Sequence, residues 1–329
     1  MAAKPPDMPS AARGKYAARL DPEFWDYVDA VNGWYPPEIV AAPIAAQRAV
    51  YDRMCAAFHL SRPAGVETQD RLVRAAGRDI ALRHYLLAGA APAACVLYCH
   101  GGGFVLGGLD SHDDICAEIC AGTGFEVLSV DYRLAPEHRH PAAFDDALAV
   151  FEWLAAASGL PLVLCGESAG GNLAAAVAHA TRRHPRPAIG QVLIYPGLGG
   201  EIGRPTERPI GRSYVEHAAA PLLTLADLDF YRTIRAAPGQ SPDDPTFAPL
   251  RDRDFAGLPP TVVVTAECDP LSSDGEAYRD RVLAAGGRAL CREEPRLTHS
   301  FLRARATVPR AAGAFARIIA DIARLGAAV

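Results

Sequence analysis

Ser168 lies in Gly166-Glu167-Ser168-Ala169-Gly170, directly after the apolar run Val163-Leu164-Cys165 and directly before a segment of small residues. That order reads as strand, sharp turn, helix. The glycines at 166 and 170 let strand and helix approach where a side chain would clash. The turn is strained, so the serine hydroxyl stands exposed above the strand's carboxyl end. The same serine sits at a helix N-terminus, where free N–H groups and the helix dipole favour negative charge. A hydroxyl so placed can attack a carbonyl carbon and leave the resulting oxyanion near donors.

A second group belongs to the same chemistry. The apolar residues 94–99 run into His100-Gly101-Gly102-Gly103-Phe104. Three glycines after a strand are costly in chain entropy, and a backbone that turns its N–H groups toward a ligand repays that cost. His100 precedes the serine and reads as a structural residue of this loop. When the nucleophile sits on such a turn, the acid and the histidine follow it in that order. Asp269 comes after the β-branched run Thr261-Val262-Val263-Val264-Thr265, in a loop at a strand's carboxyl end. Glu267 and Asp274 compete with it for the acid role. His299, in Thr298-His299-Ser300-Phe301, is the one histidine of ten beyond Asp269. Ser168, Asp269 and His299 thus form a candidate nucleophile, acid and base.

With these residues in view, the chain resembles the bacterial hormone-sensitive-lipase-like family of carboxylesterases, within the α/β-hydrolases. The carriers are His100-Gly101-Gly102-Gly103-Phe104, Gly166-Glu167-Ser168-Ala169-Gly170-Gly171-Asn172, Asp269-Pro270-Leu271 and His299-Ser300-Phe301. Asp131-Tyr132-Arg133-Leu134-Ala135-Pro136-Glu137-His138 also matches, as does its continuation through Pro141, Asp145 and Asp146 to Trp153. The resemblance spans about residues 65–325. Two residues depart from the family pattern. Glu167 stands where Asp or Thr is common, and Ser300 stands where Gly usually follows the histidine.

The resemblance implies an α/β-hydrolase fold with a helical cap, no cofactor and no metal. It also implies a serine carboxylesterase acting on short-chain esters, acetyl esters among the candidates, through an acyl-serine intermediate. The N–H groups of Gly102, Gly103 and Ala169 are the expected oxyanion hole, the first two carried over from the family motif. Other acyl-serine chemistry (an amidase, thioesterase or acyltransferase) is the alternative, followed by a non-catalytic binding protein on the same scaffold. The family often dimerises through the edge strand.

Positioning these groups requires a sheet. From residue 94 onward strands alternate with helices: strands near 94–99, 125–131, 161–165, 188–195, 260–265 and 288–294, and helices near 111–121, 142–157, 169–183, 271–285 and 309–325. Such alternation predicts a mostly parallel, doubly wound sheet of about eight strands with helices on both faces. A hairpin around Gly77, residues 66–75 and 78–87, precedes it. Helices at 21–32, with Asp21 as N-cap and Pro22 at its first position, and at 43–60 come before any strand. Residues 1–60 read as N-terminal cap helices and 61–329 as the hydrolase domain. The Gly-, Pro- and Arg-rich insertion 197–240, with a helix at 224–235, reads as the second part of the cap. Phe104, Phe24, Trp34, Tyr35, Tyr214, Leu222, Leu223 and Phe230 are the candidate pocket walls, or else plain cap core.

Composition bounds the rest. Half the residues are apolar and 22% are charged, with a net charge of −5, which points to one large core and away from nucleic acid or anionic membrane. Residues 1–15 are polar and Ala/Pro-rich, and read as a frayed end without a targeting signal. No segment reads as transmembrane. Cys95-x3-Cys99 straddles a strand and Cys116-x3-Cys120 lies along one helix, so these pairs read as buried small hydrophobes rather than zinc ligands. The eight cysteines suit a reduced, cytoplasmic protein. Asp131, Arg133, Glu137 and His138 read as a structural network holding the glycine loop. Residues 288–294 read as an edge strand able to pair with a second copy, Arg292 and Glu293 facing each other across the two-fold axis.

Overall fold

The computed structural model describes residues 14–200 and 211–327. The expected frayed end therefore falls almost wholly outside the described residues, as do residues 201–210 of the insertion.

The apolar runs become eight strands of one sheet: β1 Val66–Ala75, β2 Arg78–Leu87, β3 Cys95–Cys99, β4 Glu126–Asp131, β5 Leu162–Glu167, β6 Gly190–Ile194, β7 Thr261–Cys268 and β8 Ala289–Thr298. Their order is β1-β2-β4-β3-β5-β6-β7-β8. β1, β2 and β4 pair antiparallel, and every pair from β4 through β3 to β8 is parallel. β1 and β2 turn on Ala76 and Gly77, both at positive φ (47° and 78°), which matches the right-handed strand twist. β3, β5 and β6 are buried along their whole length, as parallel strands covered on both faces must be.

Alternation along these strands feeds two separate cores. Val96 and Tyr98 point into a layer shared with α3 (Asp113–Thr123) and α9 (Pro309–Gly326). Cys95, Leu97 and Cys99 point into the opposite layer, with α4 (Ala142–Ala157), α5 (Ala169–Thr181) and α8 (Ser272–Ala284). The pair Cys95/Cys99 is thus separated by the sheet from Cys116 and Cys120, which pack in the first layer.

Two strands run further than the sequence indicates. β7 continues to Cys268 and β8 passes Pro295 to Thr298, with the register broken between Ala266 and Cys268. Pro295 marks a strand end in the sequence but is tolerated here, because β8 is the outer strand. Arg296 takes a positive φ of 60° beside it, and its N–H donates to Glu267 Oε2 at 2.8 Å. The extension matters, since Asp269 and His299 are the residues that immediately follow the two strands.

The helices before the first strand are α1 (Pro22–Asn32) and α2 (Ile44–Ala57). Asp21 precedes α1 but makes no side-chain cap; its carboxylate is taken by Arg310, at 2.6 Å, and by Arg296. α1 is no loose lid. Phe24, Trp25, Tyr27, Val28 and Val31 are buried in the same layer as α3 and α9. The insertion carries α6 (Arg212–Glu216) and α7 (Leu225–Arg235), the latter opened by a Thr224–Asp227 capping box. Tyr16 Oη and His217 Nδ1, 3.1 Å apart, tie the first segment to the insertion.

Candidate active site

Ser168 closes β5 and opens α5 with φ 55° and ψ −116°, a conformation that L-residues rarely hold. Its neighbours over-determine it. Its N–H donates to Ile194 O at 2.9 Å. A Cβ at Gly170 would stand 1.9 Å from Cys99 O, and one at Gly166 would stand 2.3 Å from Gly170 O, so only glycine allows this strand–helix approach.

Topology brings the other two groups to the same sheet end. His299 Nε2 is 2.8 Å from Ser168 Oγ, and His299 Nδ1 is 2.8 Å from Asp269 Oδ2. Asp269 is fully buried, and its Oδ1 accepts the Leu271 N–H at 2.8 Å. The Tyr195 ring lies 4.7 Å from the imidazole. Ser300 adopts the left-handed conformation (φ 61°, ψ 24°) that a glycine would take without strain. The competing carboxylates are engaged elsewhere. Glu267 holds the Arg296 N–H. Asp274 accepts from Leu198 N–H, Gly200 N–H and Tyr214 O–H, and burial raises its pKa to about 6.

The glycine loop is held from behind and in front. Gly102, Gly103 and Phe104 all have positive φ, at 113°, 64° and 65°. A Cβ at Gly102 would fall 2.2 Å from Leu106 O, and one at Gly103 would fall 2.4 Å from the Tyr231 ring of α7. From behind, Glu167 Oε1 accepts the Gly101 N–H at 2.6 Å and contacts His112 Nε2 at 2.6 Å. Burial pushes the Glu167 pKa up, but the His112 hydrogen bond and the nearby Arg303 charge outweigh it and hold it at about 2. His112 lies 3.2 Å from Arg303 Nη2, which also donates to Tyr51 Oη of α2. Reading the sequence missed this Glu167–His112–Arg303 group; its only signal was Glu167 standing where Asp or Thr is common. His100 stacks on Tyr132 with ring centres 4.2 Å apart, and burial drives its pKa down to about 3. A neutral His100 suits its structural place.

The expected charged network under the loop is not one unit. Arg133 pairs with Asp146 at 2.8 Å, whereas Glu137 pairs with Arg48 of α2 at 2.7 Å. Asp131 is the exposed last residue of β4 and joins neither pair, and His138 likewise stays outside them. Arg48 is the residue that reaches the loop, donating to Val105 O and Ala135 O at 2.8 Å each.

A cavity of about 870 Å³ opens over Ser168 and His299. Gly102, Gly103 and Ala169 line it beside Ser168, as do Phe104, Tyr35, Tyr214, Leu222, Leu223 and Phe230. Two expected wall residues are elsewhere. Phe24 is on the inner face of α1, fully buried against Tyr27 with ring centres 5.6 Å apart. Trp34 lies beyond the end of α1 and is 38% exposed. The sequence reading missed Tyr27, Tyr231, Arg235 and Phe247, which do line the cavity. Arg235, the last residue of α7, stacks between Phe104 and Phe247 at 3.7 and 3.8 Å from the ring centres. Among the described residues, no group of three His, Cys, Asp or Glu is arranged to hold a metal ion, and no helix is long and apolar enough to cross a membrane.

Known proteins share this fold and parts of this sequence. The alpha/beta hydrolase fold family matches residues 96–303. Carboxylesterase NlhH of Mycobacterium tuberculosis is 37% identical over 240 residues, which is 70% of this chain and 73% of that protein. Ethyl acetate hydrolase of Pseudomonas putida is 38% identical over 227 residues, 66% of this chain and 67% of that protein. The structure of an esterase from Pyrobaculum calidifontis superposes with a TM-score of 0.83 at 30% identity, covering 94% of this chain and 100% of that one. The EstE1 carboxylesterase from a metagenomic library superposes at 0.79 with 34% identity, over 87% of this chain and 98% of that one. The strained serine, the glycine loop and these relatives place the chain in the alpha/beta hydrolase family, among the carboxylesterases that resemble hormone-sensitive lipase, and make it a carboxylic ester hydrolase.

Proposed function

We propose that Ser168, His299 and Asp269 hydrolyse short-chain acyl esters through an acyl-serine intermediate. The observation that carries this reading is the unbroken chain of two 2.8 Å contacts, from Ser168 Oγ through the imidazole to a fully buried carboxylate. Ser168 Oγ attacks the ester carbonyl while His299 Nε2 takes its proton. Asp269 fixes the tautomer with Nδ1–H and steadies the imidazolium that forms. The N–H groups of Gly102, Gly103 and Ala169 receive the oxyanion. The tetrahedral adduct collapses, His299 returns the proton to the leaving alcohol, and water then repeats the sequence to release the acid. Ethyl acetate, the substrate named for the Pseudomonas relative, is the expected size of ester for the reacting end of the cavity.

Residues 1–60 and the insertion 197–240 act as one cap, supported by the Tyr16–His217 tie and by the walls both supply to the cavity. Hydrolysis of ethyl acetate and of acyl esters of increasing length, with Ser168→Ala as control, tests the reading. Turnover of amides or thioesters well above esters would redirect it to another acyl-serine enzyme.

Two finer points belong to the same proposal. The chain forms a homodimer through β8, which pairs with β7 alone and leaves Leu290 47% exposed. Arg292 is occupied by Glu294 and Asp321 at 2.8 and 2.6 Å in its own chain, so the strand backbone and Leu290, not an Arg292–Glu293 pair, hold the contact. Sedimentation showing only monomer at micromolar concentration would end this. The protein works in a reducing, cytoplasmic compartment, a reading supported by eight unpaired thiols, seven of them buried. Cell fractionation tests it.

A further inference from the structure

Three arginines are buried among the described residues: Arg235, Arg303 and Arg305. Arg305 is neutralised by Asp114 and Glu118 at 2.6 and 2.7 Å. Arg303 has Tyr51, His112 and the neighbouring Glu167 charge. Among the described residues, Arg235 has no carboxylate within ion-pair distance, and of its five N–H groups one has a partner, the Phe247 carbonyl; the side chain is 7% exposed. Its Nε is buried with none. Asp244, the nearest carboxylate by its effect, is already bonded to His140, Thr246 and Gln240. Burial accordingly lowers the Arg235 pKa to about 9.

A buried cation without a counter-charge is costly, and stacking on aromatic rings offsets only part of that cost. Phe104 and Phe247 cover both faces of the guanidinium, so its plane is fixed and only its edge can take a ligand. A planar fork held in advance is the geometry that recognises a carboxylate. A second hollow that Arg235 and Phe104 line measures about 10 Å³, room for one water at most. A larger partner must therefore come from the cavity that holds Ser168, which Arg235 also lines. Asn172 connects the two. It sits one turn after Ser168, and its Nδ2 shares the Phe247 carbonyl with Arg235, at 3.1 Å. That puts the guanidinium on the order of 10 Å from the nucleophile.

We propose that Arg235 binds a carboxylate on the substrate, so that the preferred esters are negatively charged ones whose acyl or alcohol part ends in a carboxylate a few carbons from the ester bond. The inference rests on the esterase reading above and adds a substrate class to it. Phe104 then has two tasks: following the oxyanion glycines and backing the anion-binding arginine.

Two matched pairs test it: ethyl hydrogen glutarate against ethyl pentanoate for the acyl side, and 4-acetoxybutanoate against butyl acetate for the alcohol side. In the unmodified enzyme kcat/KM favours the charged member of at least one pair by about tenfold or more, the size expected of a charge-assisted bidentate contact. Arg235→Met brings that ratio to one or below, and Arg235→Lys keeps part of it. Thermal midpoints check that both variants fold. A ratio at or below one in the unmodified enzyme overturns the inference. So does an equal loss on charged and neutral esters in Arg235→Met, which would leave Arg235 only as a support for Phe104. If the neutral esters are turned over, the esterase reading survives either result. If no ester of either pair is turned over, that reading fails first.

Discussion

The reacting atoms and the pocket walls are built on different principles. Ser168, Asp269 and His299 follow the last residues of β5, β7 and β8, so one sheet end fixes all three. The walls come from α1, α2 and the insertion, segments whose placement depends on side-chain packing between elements distant in sequence. The first region can change little without losing chemistry. The second can change shape, charge and reach while the same atoms react. The two meet at the glycine loop, where Arg48 of α2 and Tyr231 and Arg235 of α7 touch Val105, Gly103 and Phe104. Walls and glycine loop are therefore packed together rather than independent.

The comparison is sharpest at Ser168. Ser168→Ala should lower kcat by roughly 10⁶, the loss seen when a triad serine is removed, without lowering the thermal midpoint. At the acid, Asp269→Asn should cost about 10⁴ in kcat because the imidazole loses its tautomer control. Glu267→Gln should cost only a few fold, since Glu267 holds a backbone N–H of the β8 bulge. A reversed order of these two variants would remove Asp269 from the acid role.

At the junction, Gly103→Ala sets a Cβ against Tyr231 and strains a positive φ. It should lower kcat by about 10²–10³, the loss of one oxyanion donor. Pairing it with Tyr231→Ala separates the two causes. If recovery is complete, the loss came from the clash; if there is none, it came from backbone strain.

Glu167 tests the support beneath the loop through pH. Its folded pKa, about 2, lies below the ordinary Glu value of 4.5, so its ionised form favours the folded state. That stability is present above pH 4.5 and is lost as pH falls toward 2. In Glu167→Gln the decline of the thermal midpoint over this window should be shallower than in the unmodified protein. An unchanged acid limb would mean that Glu167 is not held as described. The smallest effect is expected at Ser300. Ser300→Gly relieves a left-handed residue and should change stability by no more than about 1 kcal/mol, with activity within a few fold.

Legibility in the sequence divided along the same line. Ser168 and the glycines around it were readable because a strand–turn–helix needs those residues locally, whatever surrounds them. Asp269 and His299 followed from chain order and strand ends, although Pro295 hid the last turn of β8 toward the site. The alternation of strands and helices was readable because the inner parallel strands β3, β5 and β6 are short, mostly apolar runs, buried along their whole length. Phe24 and Trp34 were misplaced as walls because an aromatic on or just after a short helix carries no mark of which side it faces. Phe24 turned into the core and Trp34 out to solvent. Glu167–His112–Arg303 and the stacking of Arg235 on Phe104 escaped notice because each joins residues more than 50 positions apart by side-chain contact alone. No periodicity or motif encodes such a meeting.

The most direct test of the central claim is to trap the acyl-enzyme. The protein is mixed with a short-chain 4-nitrophenyl ester, quenched in acid within the first turnovers, digested and weighed by mass spectrometry. The account predicts one acyl group, on the peptide containing Ser168, absent from Ser168→Ala and accumulating in Asp269→Asn if deacylation is the slower step there. Turnover of the ester by Ser168→Ala at the unmodified rate, or an acyl group carried on another residue that the reaction requires, would contradict it.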